Sequence, residues 1–275
     1  MDHPPHASGR AEARQQDDCV TVTPPTPGPL LFARYAYPPN ARGLCGADQP
    51  RTLLDYGGAR VSDPGLAELA RTFEGAWPYL TLIAHCNRIA DPLDARVVEA
   101  YWVGNTLLDR VRPDQLARHV HERFGRRIGH AEEHVYDVVA AGAVPHHCFH
   151  VFAVYPWLGL LRTGIVEQPL QILDQCRTTP AVVQRAGADG TLEVLARPLL
   201  WEDGALLLGG LEPRSVRWRS DGLAFVDEPL PGDHVSLHWD FVCDRLSEGA
   251  ARALLRANRL AIDAVNRAGT AAALT

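Results

Sequence analysis

Lysine is absent from this 275-residue chain: all 27 basic residues are arginine, and Met1 is the sole methionine. Without lysine there is no Schiff base to pyridoxal phosphate, no P-loop lysine and no kinase-type lysine to anchor ATP. Pyridoxal and nucleotide cofactors are therefore not expected. The bias follows from a GC-rich genome, where arginine and alanine codons replace lysine and methionine codons. Positive charge is also scarce. A formal net charge of −6 and a pI near 6.0 leave no basic stripe, so nucleic acid is not an expected partner. Long apolar runs are missing too: the longest, residues 149–161, is interrupted by His150 and Pro156 and falls short of a bilayer span. The opening Met1-Asp2-His3-Pro4-Pro5 lacks the basic and apolar blocks of a secretory signal. These absences predict a cytoplasmic protein with no membrane partner. The six cysteines, Cys19, Cys45, Cys86, Cys148, Cys176 and Cys243, form no close pair, which fits neither a disulfide framework nor a zinc knuckle.

What is present is a chain with 46% apolar and 22% charged residues, sufficient for a sizeable core. Residues 1–29 hold six prolines and no apolar period, which predicts a disordered tail. Residues 30–168 read as an all-helical domain, with start signals at Asp63-Pro64 and Asp91-Pro92. The spacing of Leu93, Val97, Val98, Tyr101, Leu107 and Leu108 predicts one helix over 91–111. Further helices are expected at 65–75, 77–89, 114–124, 131–141 and 147–163. Residues 169–275 change character. Short strands at 181–184, 191–196, 205–208, 215–218 and 235–239 are separated by turn signals, above all Asp189-Gly190 and Asp203-Gly204. A last helix is capped by Ser247 and ends before Gly269. The fold class expected is α+β: a helical domain, a small β-barrel and a C-terminal helix.

Two pieces of the β region belong together: Cys176-Arg177-Thr178-Thr179-Pro180, and Gly232-Asp233-His234-Val235-Ser236-Leu237-His238-Trp239-Asp240-Phe241. They resemble the HypC/HupF family of nickel-iron hydrogenase maturation chaperones. In that family a cysteine lies four residues before a proline, and a later strand runs from glycine to histidine with a phenylalanine three residues on. Here Asp240 stands where that family has glycine, Cys176 is internal rather than amino-terminal, and Cys176 and His238 are 62 residues apart. The resemblance implies an OB-like barrel and a two-domain accessory protein acting by protein–protein interaction rather than catalysis. Its cargo would be the Fe(CN)2CO fragment, and its partners an iron-fragment scaffold protein and the hydrogenase large-subunit precursor. It makes Cys176 the thiolate ligand, at a partly exposed strand entrance, and His238 the second functional residue. A soft thiolate suits low-spin iron bearing strong-field ligands.

The stretches Leu31-Phe32-Ala33-Arg34-Tyr35, Phe73-Glu74-Gly75-Ala76-Trp77-Pro78-Tyr79 and Pro145-His146-His147-Cys148-Phe149-His150 resemble an uncharacterised actinobacterial family associated with hydrogenase genes. His146, His147 and His150 supply three imidazoles at a helix start, a secondary metal-binding candidate. An enzyme alternative is a zinc-dependent hydrolase, because His130-Ala131-Glu132-Glu133-His134 places two histidines and a glutamate base in the inverted zinc-peptidase pattern. Arg42-Gly43-Leu44-Cys45-Gly46 reads as a turn.

Overall fold

The computed structural model describes residues 26–129 and 132–273. Most of the segment assigned to a tail lies outside the described residues, but Gly28 and Pro29 already open helix α1, Gly28–Asn40. This helix is buried along nearly its whole length, including Arg34 and Asn40, and so reads as apolar on every side rather than along one stripe. Around it run α2 (Pro50–Ala59), α3 (Pro64–Arg71), α4 (Trp77–Cys86), α5 (Ala95–Trp102), α6 (Pro113–Ile128) and α7 (Glu132–Ala140). Asp63 caps α3 as its sequence signals, its carboxylate accepting from the Leu66 amide at 3.1 Å beside Pro64.

The single helix expected over 91–111 is two pieces. Asp94, not Asp91, caps α5 by accepting from the Arg96 amide, and Gly104, at φ +97, breaks the helix before a 3-10 turn at Leu108–Arg110. The segment 147–163 is also divided, into α8 (His147–Phe149), a π-helical turn (His150–Val154) and α9 (Trp157–Arg162), because Pro156 has no amide to continue the ladder. Helix α10, Glu167–Cys176, follows, so the division drawn at 168/169 falls within a helix and the change to strands comes at Thr179.

Five strands, β1 (Thr179–Ala186), β2 (Thr191–Ala196), β5 (Glu212–Arg217), β8 (His234–His238) and β9 (Phe241–Leu246), pair in the closed order β1-β2-β5-β9-β8. All pairs are antiparallel except β5 with β9, which meet in parallel at Arg217 and Phe241. Two short hairpins, β3 (Leu199–Glu202) with β4 (Ala205–Leu208) and β6 (Arg219–Ser220) with β7 (Leu223–Ala224), stand apart. Asp189-Gly190, Asp203-Gly204 and Asp221-Gly222 all sit at positive φ, as tight hairpins demand. Helix α11, Glu248–Ala273, is capped by Ser247, whose hydroxyl accepts from the Ala250 amide. It runs on through Gly269, where a Cβ would meet the Arg162 guanidinium at 2.5 Å, so that glycine serves close approach rather than termination.

Strand alternation decides what faces the helices. Val235 and Leu237 of β8 and Val242 of β9 enter a small core inside the sheet with Val183, Val194 and Val216. The alternate residues turn outward into the larger helical core: Phe241 and Cys243 pack with α1, and the Ser236 hydroxyl lies 2.7 Å from the Tyr35 phenol. His238 shares that outward face. Among the described residues no helix is long and apolar enough to cross a membrane.

Candidate metal centre

Three segments distant in sequence converge beneath α1. Cys176 ends α10, His238 ends β8 and His147 begins α8; one ligand atom from each lies within 4.8 Å of the others, and all three residues are buried. The convergence has local causes. The amide of Trp239 donates to the Gln175 carbonyl at 2.7 Å, tying the β8–β9 turn to the end of α10. His147 Nε2 donates to the Cys176 carbonyl at 2.8 Å, tying α8 to the same point. Beyond Cys176 the chain is pinned by Arg177, whose buried guanidinium bonds to Asp174, Thr179 and Asn258, and by Thr178, whose hydroxyl donates to the Trp102 carbonyl at 2.9 Å.

The imidazole of His238 is set in one tautomer. Its Nδ1 donates to the Tyr35 carbonyl at 2.7 Å, and a carbonyl only accepts, so the lone pair falls on Nε2. That Nε2 is buried and has no hydrogen-bond partner. A carbonyl behind one ring nitrogen with the other left bare is how metal-ligating histidines are held. Burial, then the neighbouring His147, pushes the His238 pKa well below its ordinary value, and burial holds His147 at about 4. Both rings are neutral at physiological pH, the form that ligates. Burial also drives the Cys176 thiol far up; the Trp239 indole lies toward it and eases the shift without reaching hydrogen-bond distance. Cys176 is only 8% exposed, so the partly exposed strand entrance expected for it is instead a covered position at a helix end.

A cavity of about 390 Å3 lies against the cluster, lined by Trp102, His147, Cys176, His238, Trp239 and Cys45 among others. The Trp102 ring is 4.6 Å from that of His147 and 5.5 Å from that of His238, and stacks on Tyr35 at 5.3 Å. A second cavity, of about 550 Å3, shares Leu44, Cys45, Tyr155 and Pro156 with the first. The turn that closes β8 onto β9 carries Trp239 and Asp240, both in the left-handed region at φ +51 and +56. For residues other than glycine this is strain, roughly 1–2 kcal/mol each, and strain of this kind gathers at functional sites.

The structure brings Cys176 and His238 together and adds His147, which sequence reasoning had grouped with His146 and His150. Those two go elsewhere. His146 Nδ1 caps α8 by accepting from the Cys148 amide at 3.0 Å, and His150 Nδ1 faces the Tyr79 phenol at 3.1 Å. Of the hydrolase motif, His130 lies outside the described residues, Glu133 is exposed, and His134 Nε2 is 3.1 Å from the Arg162 guanidinium, which holds it. Cys19 also lies outside them. Trp102 and Tyr35 carried no sequence signal for this site. Trp239 did, since it follows His238 in the motif.

Fold and site together define a mixed α+β protein with a buried thiol–imidazole cluster at the seam between helices and sheet. The chain belongs to the DUF6390 family, a family of unknown function whose model matches residues 24–272. No curated protein and no solved structure matches it.

Proposed function

We propose that this protein is an accessory factor of nickel-iron hydrogenase maturation in which Cys176 and His238 hold the Fe(CN)2CO fragment as cargo. The observation that carries this reading is the convergence of Cys176 and His238, 62 residues apart in the chain, on one buried cluster with a bare imidazole nitrogen. The closed five-stranded sheet followed by a long helix supports a HypC-like barrel for residues 169–275, and the helical region supplies His147 as well as the surface that selects the large-subunit precursor or the scaffold protein.

Chemically the site suits a soft, electron-rich metal fragment. Thiolate and imidazole match low-spin iron, and apolar walls protect strong-field ligands from water. Because burial keeps Cys176 protonated in the empty protein, taking up iron releases a proton, and the thiol stays inert until cargo arrives. The protein carries and transfers; it does not turn over substrate.

The test is infrared spectroscopy of the full chain isolated with its maturation partners. Bands of iron-bound cyanide and carbon monoxide are expected in the wild type and in Cys148→Ala, whose thiol bonds to Thr178 rather than to the cluster. They are expected to vanish in Cys176→Ala. Bands that persist in Cys176→Ala, or that are absent from the wild type, overturn the proposal.

A further inference from the structure

The chamber beside the cluster contains an unusual set of unused polar atoms. Three of its lining residues, Trp102, His238 and Trp239, are each more than nine-tenths buried, and each has a side-chain nitrogen without a hydrogen-bond partner: Nε1, Nε2 and Nε1 respectively. His238 Nε2 is a lone pair. The two indoles are donors only. Buried polar groups in folded proteins are nearly always paired, so three unpaired ones around one chamber call for a missing partner. Nothing else in the surrounding wall competes for them, since it is built largely from Ala36, Pro39, Leu44, Phe73, Pro156 and Ile172.

The partner must bring a centre that accepts the imidazole lone pair and the Cys176 thiolate, together with outer atoms that accept hydrogen bonds. A bare divalent cation satisfies only the first requirement. A free anion such as phosphate satisfies only the second, and leaves the lone pair of His238 facing negative charge. A metal carrying cyanide satisfies both, because the nitrogen end of a bound cyanide points away from the metal and accepts hydrogen bonds. We infer that the indole N–H groups of Trp102 and Trp239 are specificity determinants that donate to the nitrogen ends of metal-bound cyanide, so that the chamber selects a cyanide-bearing fragment over the bare ion. This inference rests on the carrier reading above and adds to it the residues that recognise the ligands rather than the metal. It also gives a purpose to the strained Trp239-Asp240 turn, which aims a tryptophan at the cluster where glycine would leave a gap.

The experiment uses the purified full chain, reduced and free of oxygen, with ferrous iron and isotopically labelled cyanide as the probe. Infrared cyanide bands and the retained cyanide are compared in the wild type, Trp102→Phe and Trp239→Phe, with melting curves reporting that each variant folds. Each substitution is expected to shift at least one cyanide band and to weaken cyanide retention about tenfold, the worth of one hydrogen bond to a charged acceptor, while uptake of cobalt(II) alone is unchanged. Transfer of the wild type into D2O, which alters no side chain, is expected to shift the same bands. The claim for each indole stands or falls with its own variant. Bands and retention unchanged in both variants and in D2O, with iron-cyanide still held, overturn the inference and leave the Cys176/His238 site intact. Wild-type protein that takes up no iron-cyanide overturns both.

Discussion

Acidification should loosen this protein well before its carboxylates titrate, because the centre is built from histidines buried in the neutral form. His146 is held at about 3 and His147 at about 4, each chiefly by burial, against about 6.5 in an unfolded chain. Above pH 7 neither state binds a proton at these rings and they contribute nothing to the pH dependence. As pH falls below 6.5 the unfolded chain takes up protons that the folded one refuses, so stability drops by 1.36 kcal/mol per pH unit for each ring until its folded pKa is reached. At pH 5 that is about 2 kcal/mol per histidine and about 4 kcal/mol for the pair, a large share of the 5–15 kcal/mol typical of a folded domain. His238 adds in the same direction, and Asp244, whose carboxyl burial pushes up, opposes it in part. Urea unfolding followed by tryptophan fluorescence at pH 7.5, 6.5, 5.8 and 5.0 measures the slope. His147→Gln should flatten the fall by about 2 kcal/mol whatever it does to stability at neutral pH. A urea midpoint that is the same at pH 5.0 and pH 7.5 would refute the reasoning, since it requires these rings to be solvated or charged in the native state.

Alkylation with iodoacetamide at pH 7.5, read by mass spectrometry, is expected to spare Cys148, Cys176 and Cys243 in the native protein and to label all three in urea. Burial raises each thiol, Cys148 to about 11, and denies access. Rapid native labelling of Cys176 would contradict the covered site. Arg177→Ala should cost about 3–5 kcal/mol in urea unfolding, because it leaves Asp174 and Asn258 without their buried partner; a loss below about 1 kcal/mol would mean that the Cys176 segment is held by something else.

How much of this was legible in the sequence depends on the range of the interactions involved. Local signals served well: aspartate-glycine pairs marked hairpins, and Asp63-Pro64 and Ser247 marked helix starts, because each acts within a few residues of itself. Helix α1 was not assigned an element, since a helix buried on all sides has no amphipathic period to read and ends in Pro38-Pro39, which look like a breaker. Strands β3 and β9 were missed for a related reason: β9 is buried on both faces along Phe241, Val242 and Cys243, so the alternation that identifies a half-exposed strand is absent. At the site, Cys176 and His238 were found through motif resemblance and not through pattern. His147 was assigned to the wrong neighbours because proximity in sequence linked it to His146 and His150. Nothing in its surroundings encodes that its ring reaches the end of α10, 29 residues on.

The bond from His238 to the Tyr35 carbonyl joins residues 203 positions apart, and this separation governs when the centre first exists. During synthesis the ribosome releases α1 early and β8 near the end, so the chain spends most of its emergence with Cys45, Cys148 and Cys176 made but His238 not yet made. A half-translated chain offers thiols without the imidazole or the roof that closes over them. Cargo captured then would be held by sulfur alone and open to water. Loading is thereby confined to finished molecules, and the interval before β8 docks is when these cysteines depend on a reducing environment rather than on the fold for protection.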